Sequence, residues 1–118
     1  MTHTILIVDD HAGFRRAARA LLIADGFTVV GAVADGLAAL VAAERLRPAV
    51  VLLDIQLPDI DGFQVATALA AMAAPPQVVL ISSRDRASYG PQLTDAPVAG
   101  FLPKSHVTGA AIRALVGR

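Results

Sequence analysis

Residues 4–10 read TILIVDD, an uninterrupted apolar run that ends on two adjacent aspartates. An apolar run without polar alternation, here residues 4–8, is typical of a strand buried on both faces of a parallel sheet. Four more short apolar runs follow along the chain, at residues 27–33, 49–53, 77–81 and 98–101. The sequence therefore predicts five buried strands.

Stretches with helical spacing separate these runs. The first has an apolar face formed by Phe14, Ala17, Ala18, Leu21 and Leu22 and a solvated face with Arg15, Arg16 and Arg19. Asp25-Gly26 is a typical end for this helix. Further helices are predicted over residues 36–47, 63–73 and 105–116. The expected inward residues are Val65, Ala66, Leu69 and Ala73 in the third helix, and Ala111, Ile112, Leu115 and Val116 in the last.

Residues 84–96 lack this regular pattern. They contain Gly90-Pro91, and both residue types disfavour the interior of a helix. We expect a short, frayed or mobile element there.

The alternation of five strands with helices predicts an α/β fold. Right-handed crossovers place helices on both faces of one parallel sheet, which gives a three-layer, doubly wound (βα)5 architecture. The chain has 118 residues, of which 55% are hydrophobic, and no linker or repeat divides it. We therefore expect one domain over residues 1–118.

The composition argues against several classes of protein. Ten basic residues balance ten acidic ones and aromatic residues make up 4%, so neither nucleic acid nor a membrane surface is an expected partner. The lack of cysteine excludes disulfides, thiolate zinc sites and cysteine nucleophiles. No apolar run approaches the roughly 18 residues that span a bilayer, and the first run is too short for a signal peptide. The expected location is cytoplasmic.

Ligands of open parallel sheets bind at the carboxyl ends of the strands. The polar residues that follow the predicted strands directly are Asp9, Asp10, Asp54, Ser82, Ser83 and Lys104. Three carboxylates at one rim repel each other unless a cation or protons neutralise them. Mg²⁺ prefers oxygen ligands of this kind, and Mg²⁺ with Lys104 would balance the three negative charges.

A site neutralised in this way can accept a phosphate group. An aspartate can attack phosphorus and form an acyl phosphate when the phosphoryl oxygens are neutralised. We predict Asp54 as the acceptor because it ends the central apolar strand, with Asp9 and Asp10 as metal ligands. Lys104 and the Ser82 hydroxyl would contact the phosphoryl oxygens. The two N-terminal aspartates are also typical helix N-cap residues, and one of them can serve both roles.

Four blocks of the sequence resemble the receiver domain of two-component response regulators. They are ILIVDD at 5–10, LLDIQLPDIDG at 52–62, VLISS at 79–83 and GFLPK at 100–104. They occur in the family's order and spacing over essentially the whole chain. The resemblance implies a stand-alone receiver domain with a flavodoxin-like sheet of strand order 2-1-3-4-5.

The resemblance also implies a phosphorelay function. Asp54 would take a phosphoryl group from a sensor histidine kinase or a phosphotransfer protein, with Mg²⁺ bound by Asp9 or Asp10, by Asp54 and by the Gln56 carbonyl. Such a domain catalyses only its own phosphorylation and dephosphorylation, so it is not expected to be an enzyme in the ordinary sense.

A switch is implied as well. Ser82 would shift toward the phosphoryl group, and Phe101 would swing inward behind it. Phe101 has no phenol hydroxyl, so packing alone would balance its two positions. The fourth helix, fifth strand and fifth helix (α4-β5-α5) would form the surface that binds a downstream protein or a second copy of the chain.

Two other functions remain open. A Mg²⁺-dependent phosphohydrolase would use the same aspartyl chemistry, although Gln56 stands where such enzymes carry a second aspartate and no cap insertion is visible. A degenerate receiver would serve only as a docking surface, and the filled chemical positions argue against it.

Other polar residues have mostly structural interpretations. Ser83 is a typical N-cap for the segment that follows it, and Asp59 and Asp61 are typical of a turn and a helix cap. Gly62 allows a close approach of two chain segments. The scattered histidines, which are expected to be exposed rather than metal ligands, are His3, His11 and His106.

Two residues are predicted to set the lifetime of the acyl phosphate. Gln56 lies two residues after the acceptor, and Arg84 lies two residues after Ser82. Both would flank the path of an attacking water.

Overall fold

The computed structural model describes residues 3–117 and contains a five-stranded parallel sheet of order β2-β1-β3-β4-β5. The strands are β1 Thr4–Val8, β2 Thr28–Val33, β3 Val50–Asp54, β4 Gln77–Ser82 and β5 Gly100–Pro103. The helices are α1 Ala12–Ala24, α2 Gly36–Leu46, α3 Gly62–Ala70, α4 Pro91–Asp95 and α5 Gly109–Val116. Two 3-10 turns lie at Arg86–Ser88 and Lys104–His106. The predicted fold class and strand order are confirmed.

The sheet separates two apolar cores. Val51 and Leu53 of β3 pack in the core that includes residues of α2 and α3. Val50 and Leu52 pack in the other core, with residues of α1 and α5. All five residues of β3 are buried as a result, which explains why the sequence shows no polar alternation there.

The largest differences from the predicted element boundaries lie at α3, α5 and β5. Helix α3 ends at Ala70, and Ala73, predicted to point inward, is exposed. Helix α5 begins at Gly109, four residues later than predicted, because a 3-10 turn follows β5 and Thr108 then caps the helix, accepting from the Ala111 N–H at 3.0 Å. Strand β5 runs two residues further than predicted, to Pro103, which an edge strand tolerates.

Helix α1 buries a narrower face than its apolar stripe suggested. Ala18 and Leu22 are buried, whereas Ala17 and Leu21 are exposed. Arg15, predicted to be solvated, is half-buried and donates from Nη1 to the Asp9 carbonyl at 2.8 Å. The prediction failed at these positions because helical spacing does not show how much of a helix the sheet covers. No helix within residues 3–117 has the length and apolarity needed to cross a bilayer.

Residues 84–96 form the irregular element that the sequence predicted. A 3-10 turn is followed by Gly90, whose φ of 56° and ψ of −133° suit glycine, and then by a helix of five residues that begins with Pro91. Leu93 is the buried residue of this short helix. The segment is therefore held to the domain by few apolar contacts.

Gly62 brings the start of α3 against the end of β3. A Cβ added at this position would lie 2.6 Å from the Asp54 carbonyl oxygen and 2.6 Å from the Ile55 Cα. The Gly62 N–H also donates to the Ile55 carbonyl at 2.8 Å. The predicted close approach is confirmed, and it fixes the backbone directly after the buried strand β3.

We expect Gly62→Ala to lower the free energy of unfolding by about 1–3 kcal/mol, because the new methyl group meets backbone atoms that cannot move aside cheaply. Urea denaturation measures the change. Gly13→Ala is the matched control, since a Cβ at this position in α1 has no atom within 4 Å. The control should be neutral or stabilising by up to about 1 kcal/mol. Equal effects of the two substitutions would contradict this account.

Candidate functional site

Four of the predicted site residues lie at the carboxyl-terminal edge of the sheet. Asp54 and Ser82 are the last residues of β3 and β4, while Asp9 and Lys104 directly follow β1 and β5. Among residues 3–117, the buried polar side chains are Asp9, Asp54 and Ser82, with 0%, 3% and 0% of their surface exposed. Burial of polar groups is costly, so the clustering of these buried polar side chains at one edge of the sheet marks the candidate site.

The Lys104 ammonium joins two of the carboxylates. Its Nζ lies 2.6 Å from Asp9 Oδ2 and 3.3 Å from Asp54 Oδ2. It also lies 5.0 Å from the centroid of the Phe14 ring. Burial opposes the positive charge of Lys104, but the hydrogen bond with Asp9 and the charge of Asp54 outweigh burial and raise the pKa of Lys104 above its usual value. The two aspartates thus favour the charged form of Lys104.

Asp54 remains short of favourable interactions despite this cation. Burial, assisted by the charge of Asp9, raises the pKa of Asp54 above its usual value. The Gln56 N–H, which donates to Asp54 Oδ1 at 3.1 Å, and the nearby Lys104 act in the opposite direction without cancelling the rise. The site therefore favours a further cation, or a reaction that reduces the negative charge on the two carboxylate oxygens of Asp54.

A group of possible metal ligands lies beside Asp54 and Lys104. One ligand atom from each of Asp9, Asp10 and His11 falls within 4.8 Å of the others. The His11 N–H donates to Asp9 Oδ1 at 2.8 Å, and His11 Nδ1 lies 3.8 Å from Asp10 Oδ1. His11 is exposed, as predicted. Its ring nevertheless lies at metal-ligand spacing from both aspartates, which the prediction for the scattered histidines did not foresee.

The other two histidines take no part in this group. His3 is half-buried and its ring centroid lies 5.8 Å from that of Phe27, so the prediction of an exposed side chain was wrong there. His106 is exposed, as predicted.

The donor set suits a hard divalent cation. Asp9 Oδ2 is buried, and its one close partner within the described chain is the Lys104 ammonium, 2.6 Å away. Such an oxygen has a lone pair to spare for a metal. Asp54 is not part of the group formed by Asp9, Asp10 and His11. A cation held by Asp9 and Asp54 would share both carboxylates with Lys104.

The Ser82 hydroxyl has two partners within the described chain. It accepts a hydrogen bond from the Arg84 N–H at 3.0 Å, and its Oγ lies 2.5 Å from the Tyr89 hydroxyl oxygen. Sequence reasoning missed Tyr89, whose one signal was an aromatic hydroxyl in an otherwise polar segment. Ser83 is exposed and caps no helix, because the next turn begins only at Arg86. The N-cap role predicted for Ser83 was therefore wrong.

Phe101 occupies an inward position in this structure. It is 4% exposed and belongs to the core that includes α2 and α3. Its ring centroid lies 6.2 Å from that of Tyr89 and 5.4 Å from the Arg86 guanidinium carbon. The residues predicted to set the acyl phosphate lifetime, Gln56 and Arg84, are both exposed.

Two further aspartates shape the loop after β3. Asp61 caps α3 as predicted, accepting from the Gln64 N–H at 2.9 Å while the Gln64 side chain accepts from the Asp61 N–H. Asp59 accepts instead from Gly36 and Leu37 at the start of α2, at 2.8 and 2.9 Å. These backbone hydrogen bonds lower the pKa of Asp59 to about 2. The loop is thus attached to two helices.

Comparison with known proteins places this geometry in a family. A family model described as the response regulator receiver domain matches residues 5–116. The chain belongs to the response regulator receiver domain family. This receiver domain is 36% identical over 113 residues to the probable transcriptional regulatory protein NarL of Mycobacterium tuberculosis, which covers 95% of the chain and 52% of that relative.

Other relatives carry the receiver domain in a different setting. The domain is 46% identical over 80 residues to protein-glutamate methylesterase/protein-glutamine glutaminase 5 of Myxococcus xanthus, which covers 67% of the chain and 23% of that relative. The chain spans about half the length of the curated transcriptional regulators that it matches.

Solved structures agree with this placement. The signal receiver domain of NarL from Mycobacterium tuberculosis superposes with a TM-score of 0.84 at 36% identity, covering 99% of this receiver domain and 98% of that chain. A LuxR-family DNA-binding response regulator from Staphylococcus aureus gives a TM-score of 0.87 at 22% identity, covering 98% and 99%. The second likeness concerns the fold alone.

We expect opposite effects on stability from two substitutions in the receiver domain's site. In EDTA at neutral pH, Asp54→Asn should raise the melting temperature, because it removes a carboxylate that burial and Asp9 disfavour. An aspartate whose pKa is raised by folding stabilises the folded chain in acid and destabilises it as the pH rises. The gain should therefore disappear at acidic pH. Thermal unfolding monitored by circular dichroism across this pH range measures it.

Lys104→Met tests the other side of the same pair. Removal of the ammonium leaves two buried carboxylates without their cation, so this variant should lose about 3–5 kcal/mol at neutral pH. The same loss of stability in both variants would show that the charge balance described above is wrong.

Proposed function

We propose that this receiver domain relays a signal by accepting a phosphoryl group on Asp54 in a Mg²⁺-dependent reaction. The observation that carries this proposal is the half-buried Lys104 ammonium, which lies between Asp54 and Asp9 with its Nζ 3.3 and 2.6 Å from their oxygens. The Asp54 carboxylate lies close to the Lys104 cation, and burial disfavours its negative charge. Phosphorylation would move the negative charge from the buried carboxylate to phosphoryl oxygens, with which Lys104 could pair.

The donor would be a phosphohistidine on a sensor histidine kinase or a phosphotransfer protein. An Asp54 oxygen forms a bond to phosphorus while the phosphorus–nitrogen bond of the phosphohistidine breaks. The electron pair of that bond stays on the imidazole nitrogen, which is left neutral or takes a proton from water. Lys104 would pair with one phosphoryl oxygen, and the Ser82 hydroxyl would donate to another.

The residues that would hold Mg²⁺ are Asp9, Asp10 and Asp54, with the Gln56 carbonyl. Bound there, Mg²⁺ would supply positive charge that neutralises the phosphoryl oxygens. The spare lone pair of buried Asp9 Oδ2 supports this set. His11 lies within the same cluster as Asp9 and Asp10, so it would influence the ion that these carboxylates select.

The output of the domain would be contact with proteins. The surface formed by α4, β5 and α5 is the proposed switch surface, for a downstream protein or for a second copy in a homodimer. Several relatives have names that describe transcriptional regulators, but the balanced charge of this chain gives no reason for direct contact with nucleic acid. We also propose that the domain spans residues 1–118 and acts in the cytoplasm. It would turn over no substrate other than its own phosphoryl group.

Intact-mass spectrometry tests the acceptor. After incubation with Mg²⁺ and acetyl phosphate or phosphoramidate, the wild-type chain should gain the mass of one phosphoryl group. Asp54→Asn should gain none, and EDTA should reduce the yield in the wild type. An adduct that persists in Asp54→Asn would overturn the assignment.

Adduct formation, together with a phosphate-release assay, separates the two alternative functions. No adduct together with no response to Mg²⁺ would favour a docking module. Sustained phosphate release from many equivalents of a phosphomonoester would favour a phosphohydrolase.

The lifetime of the adduct tests the roles of Gln56 and Arg84. Both side chains are exposed beside the site, so substituting them should change the access of water without disturbing the core. We expect Gln56→Ala combined with Arg84→Ala to change the rate of adduct decay by about tenfold, a difference of about 1.4 kcal/mol in the barrier. Arg45→Ala, at an exposed position on α2, is the control. An unchanged decay rate in the double variant would refute this role.

A further inference from the structure

Tyr89 connects the buried site to the segment between β4 and β5. Its hydroxyl oxygen lies 2.5 Å from Ser82 Oγ, and Ser82 is completely buried at the end of β4. Most side chains of residues 83–92 are exposed, whereas Tyr89 is half-buried. The polar end of Tyr89 therefore reaches into the site while its backbone belongs to the irregular segment.

The ring of Tyr89 is held by two other aromatic residues. Phe63 of α3 lies 5.8 Å from it, edge to face, and Phe101 of β5 lies 6.2 Å from it. Pairs at these separations are favourable. The ring thus touches the neighbouring elements on both sides, and its position depends on the hydroxyl bond at one end and on these two rings.

The Ser82 hydroxyl has one proton to donate. It already accepts from the Arg84 N–H, and the short bond to Tyr89 takes up a further direction. Phosphoryl oxygens only accept hydrogen bonds. Either hydroxyl can donate in the short bond between Ser82 and Tyr89. When Ser82 is the donor, a phosphoryl oxygen on Asp54 needs the same proton, so the two hydrogen bonds compete.

We propose that Tyr89 positions the Ser82 hydroxyl in the unphosphorylated domain and is released when Ser82 bonds to a phosphoryl group on Asp54. This role rests on the proposed phosphorylation of Asp54. Tyr89 carries the signal to residues 84–96, because breaking its hydroxyl bond removes one of the few attachments of that segment.

Phe101 is less suited to start this change. It has no hydroxyl to bond Ser82, and it is already buried in this structure. The segment that carries Tyr89 is easier to move. It contains Gly90 with a positive φ and a five-residue helix in which Leu93 is the buried residue. The hydroxyl that is missing from Phe101 is thus supplied by Tyr89 from a neighbouring element.

The chain offers a direct reporter for this release. Tyr89 is the single tyrosine among 118 residues and there is no tryptophan, so tyrosine absorption and emission report on this side chain alone. Addition of Mg²⁺ and beryllofluoride, which stands in for a phosphoryl group on an aspartate, should change both spectra in the wild type. Ser82→Ala without ligand should already show the spectrum of the liganded wild type.

A second measurement uses Tyr89→Phe, which removes the hydroxyl and keeps the ring. Fluorine-19 NMR follows beryllofluoride binding and needs no tyrosine. The variant should bind beryllofluoride about fivefold more tightly, because it has no Ser82–Tyr89 hydrogen bond to break on binding. Fivefold is the ratio that corresponds to one neutral hydrogen bond. Ser88→Ala is the matched control, since its hydroxyl lies in the same segment and donates to exposed Asp85. This control should bind like the wild type.

The outcomes separate the two proposals. If beryllofluoride fails to bind the wild type, or binds Asp54→Asn equally well, the proposed function fails and the role of Tyr89 fails with it. If the wild type binds beryllofluoride but the tyrosine spectra do not change, or if Tyr89→Phe binds with equal or lower affinity, only the role of Tyr89 is overturned.

Discussion

The half-buried ammonium of Lys104, held between the carboxylates of Asp9 and Asp54, is the interaction on which the rest of the site depends. Each carboxylate comes from the end of a different strand, and the cation comes from a third. Buried carboxylates at one edge would otherwise repel each other or take up protons. The parallel sheet supplies the rigid frame, since the strands that end at these residues are covered by helices on both faces. The fold thus brings three separated positions into one electrostatic unit.

Much of this arrangement follows from the sequence because it is set by simple periodicity. Continuous apolar runs identify buried parallel strands, and the residue after each such strand must lie at the same edge. The sequence alone therefore predicted that four residues lie together, namely Asp9, Asp54, Ser82 and Lys104. The capping role of Asp61 and the close approach at Gly62 could also be predicted, since each depends on neighbours within a few residues.

The features that sequence reasoning missed depend on contacts between distant segments. Nothing local shows that Tyr89 reaches back seven residues to Ser82, or that Asp59 caps the preceding helix rather than the following one. The apolar stripe of α1 could not show that Leu21 remains 38% exposed, because that depends on how much of the helix the sheet covers. Helix ends were misjudged where a hydrogen bond from a side chain such as Thr108 decides the first turn. Such features require the packed structure.

The hydrogen bonds of Asp59 with α2 make the two sides of the sheet differ in how firmly they are attached to the loop after β3. Its carboxylate accepts the first free N–H groups of that helix, so the loop that follows the acceptor strand is anchored to the side of the sheet where β2 and β1 lie. On the opposite side, residues 84–96 have few apolar anchors. If Asp54 is phosphorylated as proposed, we expect the rearrangement to spread toward β4 and β5, with the α2 side staying nearly invariant. A partner that must recognise the domain in every state would dock on the invariant half, while one that discriminates between states would dock on the other.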